Sequence, residues 1–151
     1  MAIDLAALGL TLKRAQYRNH RAAEQALKEQ VGVTLVQWDA LRAVDRMPHA
    51  SGHDLALATF QSDQAFGALA GRLVDRGLIT RRPGVGRRIE HALTEDGRAA
   101  LEAGTRVTEG VLAELFAPLT EREHGLLAGL LAKLLSDEPA PYPASGADAV
   151  R

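Results

Sequence analysis

Between residues 63 and 98 the spacing of apolar side chains changes twice, and this double switch restricts the fold more than any other feature of the chain. Phe66, Leu69 and Leu73, with Ala65, recur at helical intervals as far as Arg76. Gly77 then stands where a helix needs a residue that tolerates the left-handed backbone. Beyond it LITRR predicts a short strand, and PGVGR carries the proline and glycine punctuation of a tight turn. RIEHAL follows, alternating Ile89, His91 and Leu93 with Arg88, Glu90 and Ala92. Thr94 and the acids of TEDG restart a helix, because a hydroxyl at the N-cap and negative charge in the first turn satisfy free backbone N–H groups. A helix running into a hairpin that runs into another helix predicts a mainly α chain with one small β-hairpin.

Helical periodicity holds on both sides of this segment. Leu5, Leu8, Leu12, Ala15, Ala22 and Ala26 predict an amphipathic helix from about Ile3 to about Gln30, ended by Gly32. Thr34 caps a second, with Leu35, Trp38, Leu41 and Val44 on its apolar face and Pro48 as its stop. Ser51 caps a short third helix, Gly52 to Thr59, that buries Leu55 and Ala58. Ser62 caps the fourth. After the hairpin, Leu101, Thr105, Thr108, Val111, Leu112 and Leu115 form a narrow stripe as far as Pro118. Thr120 caps a last helix rich in leucine, from Leu126 to Leu135. The segment 137–151 is poor in large apolar residues and reads as a disordered tail.

Three helices, the second and third joined by the short connection 60–62, followed at once by a hairpin, spell out a winged helix-turn-helix core. Such a lobe, about 35–93, places its last helix in a major groove and its hairpin against the phosphate backbone. The long first helix (about 3–30) and the C-terminal pair (about 95–136) carry apolar stripes that so small a lobe cannot cover. Dimerisation helices and a homodimer are therefore expected, in one domain over 1–136.

The overall charge conceals what such a core would need. The 151 residues have a formal net charge of −1. Yet from Arg72 to Arg88 there are six arginines against one acid, Asp75, whereas from Glu95 to Glu138 nine acids face four bases. Phosphate binding depends on the cations that touch the backbone and not on the sum. A solvated charged loop is the plainer reading of such a run taken alone. No apolar run approaches the roughly 18 residues of a membrane span, and the basic residues near the N-terminus follow the apolar stretch, so a cytoplasmic protein without a secretory signal is expected. Cysteine is absent, which removes thiol chemistry and cysteine-based zinc sites.

In the fourth helix Gln64 can bond an adenine edge through both amide atoms, and Gln61 with Ser62 can hold phosphate at the helix start; ordinary capping is the alternative for Ser62. Gly67, Ala68, Ala70 and Gly71 permit close approach to DNA. Arg72, Arg81, Arg82, Arg87 and Arg88 are the expected phosphate contacts. Arg76, at the helix end, suits a phosphate, and as often complements the helix C-terminus or pairs with an acid such as Asp75. His49 and His53 have the i, i+4 spacing of a metal pair, but Pro48 and Gly52 interrupt any common helix, so they read as loop histidines and neither a metal nor another cofactor is expected. No nucleophile or acid–base cluster points to an enzyme. A winged-helix module that binds protein rather than DNA is the second reading.

Trp38 in TLVQWDALRAV, the run ALAGRLVDRGLITRR and the closing RRIEHALTEDGRAAL resemble the MarR (multiple antibiotic resistance regulator) family over roughly residues 5–136. The resemblance implies an obligate homodimer of intertwined terminal helices, a palindromic operator read by two recognition helices about one turn of DNA apart, and a ligand-responsive repressor. It also implies an effector pocket between the dimer helices and the DNA-binding lobe, where Tyr17, His20, Arg21, Trp38 and Arg42 would suit a small aromatic or anionic ligand; the plainer reading of each residue puts Trp38 in the core and leaves the others as exposed helix positions. One departure stands out. The family's wing arginine corresponds to Arg87, and Val85 occupies the position of the aspartate that normally pairs with it, in a shortened tip.

Overall fold

The computed structural model describes residues 2–138 and contains six helices and one hairpin among them. They are α1 (Leu5–Gln30), α2 (Leu35–Arg46), α3 (Gly52–Ala58), α4 (Asp63–Asp75), β1 (Ile79–Pro83), β2 (Ile89–Leu93), α5 (Glu95–Phe116) and α6 (Glu121–Leu134). Of the segment read as a disordered tail, only Asp137 and Glu138 fall among the described residues; the remainder lies outside them.

Each helix after α1 starts at the cap its sequence announced. Thr34, Ser51 and Thr120 form reciprocal capping boxes with Gln37, Asp54 and Glu123, while Ser62 and Thr94 accept from the N–H groups of Ala65 and Gly97. In α1 the cap is Asp4, which accepts from Ala6, so the helix begins at Leu5 and not at Ile3. Gly77 adopts φ +71° and ends α4 as expected. β1 and β2 pair antiparallel from Ile79 opposite Leu93 to Pro83 opposite Ile89, leaving residues 84–88 as the turn.

The core gathers where α2, α3 and α4 meet α1, β1 and α5. Leu27, Leu41, Leu55, Phe66, Leu69, Leu73 and Ile79 are almost wholly buried in it. In α4 the buried small residue is Ala70, and Ala65 faces out, contrary to the apolar face read from sequence. Alanine is compatible with either face; Ala70 is inward because it follows Leu69 and precedes Leu73 by three. His53 is not a loop histidine either, since it lies in the first turn of α3.

Two glycines mark close packing. A Cβ on Gly97 would lie 1.8 Å from the backbone oxygen of Leu78, so the first turn of α5 rests on the chain as it leaves α4. Thr94 closes the same joint: its hydroxyl donates to the Gly77 carbonyl at 2.6 Å and its N–H to Leu78 O at 3.1 Å. Gly104 in turn gives room to the Trp38 ring, which a Cβ would approach to 2.3 Å. By contrast α6 buries none of its residues, and Leu126, Leu130, Leu134 and Leu135 stay exposed, as do Leu5, Leu8 and Leu12 of α1.

Candidate nucleic-acid interface

The outer face of α4 carries Gln64, Gly67, Ala68 and Arg72, all exposed. Gly67 and Gly71 would each meet nothing within 4 Å if given a Cβ, so no packing demand explains these glycines. Ser62 spends its side-chain oxygen on the Ala65 N–H, at 3.1 Å. Gln61 is turned inward: its backbone N–H reaches Ala56 O at 2.9 Å and its amide donates to the Thr59 hydroxyl at 3.1 Å. It therefore braces the turn between α3 and α4, whose Phe60 adopts φ +56° and is 89% exposed.

The arginines divide into struts and free cations. Arg76 donates to Gln37 Oε1 and to Gly32 O, at 3.0 and 2.9 Å, and so ties the end of α4 to the corner between α1 and α2. It pairs with no acid among the described residues, although an acid was one of the two partners its position suggested. Arg81 crosses from β1 to donate to Gly67 O at 2.9 Å, which fixes the hairpin to the middle of α4. Arg72, Arg82, Arg87 and Arg88 are exposed and have no hydrogen bond or ion pair among the described residues. Arg81→Ala is expected to cost about 0.5–1.5 kcal/mol in urea unfolding, the worth of one ordinary hydrogen bond, whereas Arg82→Ala stays within about 0.5 kcal/mol of the parent. Equal stability of the two variants would show that Arg81 is no strut.

The wing turn is held by the Gly84 N–H, which donates to Arg88 O at 2.8 Å, and by Gly86 at φ +68°. A Cβ on Gly84 would come within 2.8 Å of Glu90 Cγ, so a side chain there would displace that of Glu90. Val85 is 87% exposed and gives Arg87 no support. The nearby acid Glu90 is engaged by His49 Nδ1 at 3.2 Å.

Between α3, α4 and the wing lies a cleft of about 610 Å³, to which Asp63, Phe66, Arg81, Arg87, Arg88 and His91 contribute. His91 is buried edge-on against Phe66, 5.8 Å between centroids, and its Nδ1 has no partner. Burial, and then Arg81, hold its imidazole below the ordinary histidine pKa. On the opposite wall His53 Nδ1 lies 2.8 and 3.1 Å from the two carboxylate oxygens of Asp63. The hydrogen bond and then the charge of Asp63 raise His53 above its ordinary value. Sequence inspection missed this pair. The only available signal was that each residue sits in the first turn of one of two consecutive helices.

The five residues assigned to an effector pocket do not share one cavity. Tyr17, His20 and Arg21 line a shallow groove along α1. Trp38 is 6% exposed, belongs to the core, and donates its indole N–H to Leu101 O at 3.3 Å. Arg42 stacks over that ring at 4.5 Å and pairs with Asp39 at 2.8 Å. Arg42 and His20 both act on Asp39, whose carboxyl is raised by burial against their pull. Among the described residues no group of three or more acids and histidines is arranged to hold a metal, and no helix is long and apolar enough to cross a membrane.

A helix-turn-helix whose last helix is strapped to an arginine-tipped hairpin, between long helices with uncovered leucines, defines a winged helix-turn-helix transcriptional regulator that binds DNA. Comparison with known proteins gives the family. Residues 31–89 match the model described as MarR family. The HTH-type transcriptional repressor Rv2887 of Mycobacterium tuberculosis is 30% identical over 109 residues, which cover 71% of this chain and 78% of the relative. Two crystal structures of the M. tuberculosis protein Rv2887 superpose on 84% of the chain. Its complex with DNA does so with 26% identity, 96% of its own chain covered and a TM-score of 0.71. The complex with p-aminosalicylic acid gives 28%, 97% and 0.70. The chain belongs to the MarR family.

Proposed function

We propose that the chain works as a homodimeric repressor, with residues 35–93 as its DNA-binding lobe and 3–30 and 95–136 as its dimerisation helices. Each protomer lays α4 in the major groove of one half of a palindromic operator. Gln64 reads a base edge, Gly67 and Ala68 let the helix sit deep, and Arg72, Arg82, Arg87 and Arg88 hold phosphates on either side. The observation that carries this reading is the row of exposed cations, Arg72, Arg82 and Arg87 without a partner among the described residues and Arg88 with only the charge of Asp54 beside it, flanking a recognition helix with a bare outer face. Leucines left exposed on α6 and α1 support the dimer. A cytoplasmic location accords with DNA as the ligand. The complex of the M. tuberculosis relative with p-aminosalicylic acid supports a small aromatic acid as effector. Its carboxylate would be met by Arg21 or His20 and its ring by Tyr17, once the second protomer closes the groove; Arg42 is held back by Asp39.

Anisotropy titration with duplex DNA from upstream of its own coding region tests the reading. Nanomolar binding with a steep salt dependence is expected, and equally weak affinity for every duplex would overturn it in favour of a protein-binding module. Gln64→Ala should weaken the operator complex alone, because a base contact carries sequence information. Arg87→Ala should weaken all duplexes by about 1–3 kcal/mol and flatten the salt slope by about one unit. An unchanged salt slope in Arg87→Ala would remove the wing tip from the interface.

A further inference from the structure

Asp63 is an anomaly on a surface meant for DNA. It is the first residue of α4, its side chain is 67% exposed, and it borders a cleft otherwise rich in arginine. A lone carboxylate there would repel the phosphate backbone that the wing arginines attract. His53 answers it from α3, with Nδ1 within hydrogen-bond distance of both carboxylate oxygens. A carboxylate only accepts, so Nδ1 carries the proton and donates. The other ring nitrogen, Nε2, then has two options: a lone pair in the neutral ring, or a second N–H in the imidazolium.

The occupant of the cleft decides between them. Arg81, Arg87 and Arg88 reach it from the hairpin side, so an anion is the species it accepts. A phosphate oxygen also only accepts, and it repels a lone pair. We propose that His53, oriented by Asp63, donates Nε2–H to a DNA backbone phosphate in this cleft, so that each protomer takes up a proton at His53 as DNA binds. The inference rests on the DNA-binding reading above and adds a contact and a linkage to it.

The surrounding charges set the direction. Asp63 on α4 and Asp54 on α3 favour the imidazolium, and the hydrogen bond to Asp63 is the larger influence. Burial opposes it, while Arg81, Arg87 and Arg88 line the cleft from the hairpin and His91 of β2 is held neutral by burial and by Arg81. Glu90 of β2 is occupied by His49. The bound phosphate adds a second acceptor to the same ring, so the complex holds the proton more tightly than the free protein. Because the free-protein pKa is itself raised, affinity is full below it and falls as pH rises through it, levelling off above the pKa of the complex.

Isothermal titration calorimetry of the full-length chain with the upstream duplex, in phosphate and in Tris at about pH 7.5, separates binding heat from buffer ionisation and counts the protons. Wild type is expected to take up protons at both subunits, with Kd rising by up to about tenfold per pH unit for each linked proton. His53→Gln should lose that uptake and give a flatter pH profile, while binding specifically at all pH values. Asp63→Asn should shift the midpoint of the profile to lower pH, a change that a purely structural role of the pair would not produce. Specific binding with the same proton uptake in wild type and His53→Gln would overturn the proposal and leave the DNA-binding reading intact. A wild-type chain that discriminates no duplex would overturn both.

Discussion

Gly97→Ala is expected to destabilise the chain by about 3 kcal/mol, at or beyond the upper end of ordinary overpacking, because its methyl group has no direction in which to be accommodated. The added Cβ falls 1.8 Å from Leu78 O and 2.9 Å from Leu78 C, and both belong to the main chain. A side chain in the way could change rotamer. A backbone carbonyl fixed by the Thr94 N–H cannot, so α5 must lift from the joint and give up the bonds at Thr94. For a chain of this size the loss corresponds to a fall in Tm of roughly 6–12 °C. Gly71→Ala is the control. It lies in α4, outside the dimerisation helices, with nothing within 4 Å, and it should be neutral or gain up to about 1 kcal/mol from helix propensity. Thermal unfolding of the pair measures both, and a Gly97→Ala protein melting with wild type would contradict the close contact.

The second large effect is expected at Leu130, and it concerns assembly rather than folding. Leu130 lies on α6, is 59% exposed, and has no place in the core. Leu130→Asp should therefore leave the lobe as stable as before. In the dimer the same side chain would be covered by the partner, and burying a carboxylate among leucines without a partner costs several kcal/mol, counted twice by symmetry. Sedimentation should show the mass falling from twice 16.1 kDa to 16.1 kDa. Affinity for a palindromic operator should fall by about 10²–10⁴-fold, since two linked half-sites become independent. A variant that remains dimeric would place the interface away from α6.

What could be read in the sequence was what is decided locally. The caps at Thr34, Ser51, Ser62, Thr94 and Thr120 act within three residues of themselves, and the stop at Gly77 depends on its own φ angle. The features that escaped depend on distant partners. Arg76 is occupied by residues 39 and 44 positions away, and Arg81 by a carbonyl 14 positions back. Gly97 and Gly104 look like ordinary helix glycines until Leu78 and Trp38 are brought against them. Trp38 offered both an apolar surface and a polar N–H, which admits a pocket although the core is the plainer reading. Only the position of Leu101 O decided for the core.

The placement of charge along the fold also bears on how the protein meets DNA at all. Arginines crowd the end of α4, β1 and the wing turn, acids outnumber bases in α5, and the sum is close to neutral. A body with almost no net charge feels little pull from a distant duplex, and at physiological ionic strength fields decay within about 8 Å. Attraction therefore begins only when the wing is already near the groove, and an approach by the acidic α5 is repelled over the same short range. Charge here sorts orientations at the last moment rather than drawing the protein in from a distance. Collisions that arrive the wrong way round are expected to separate before the wing arginines reach the phosphates.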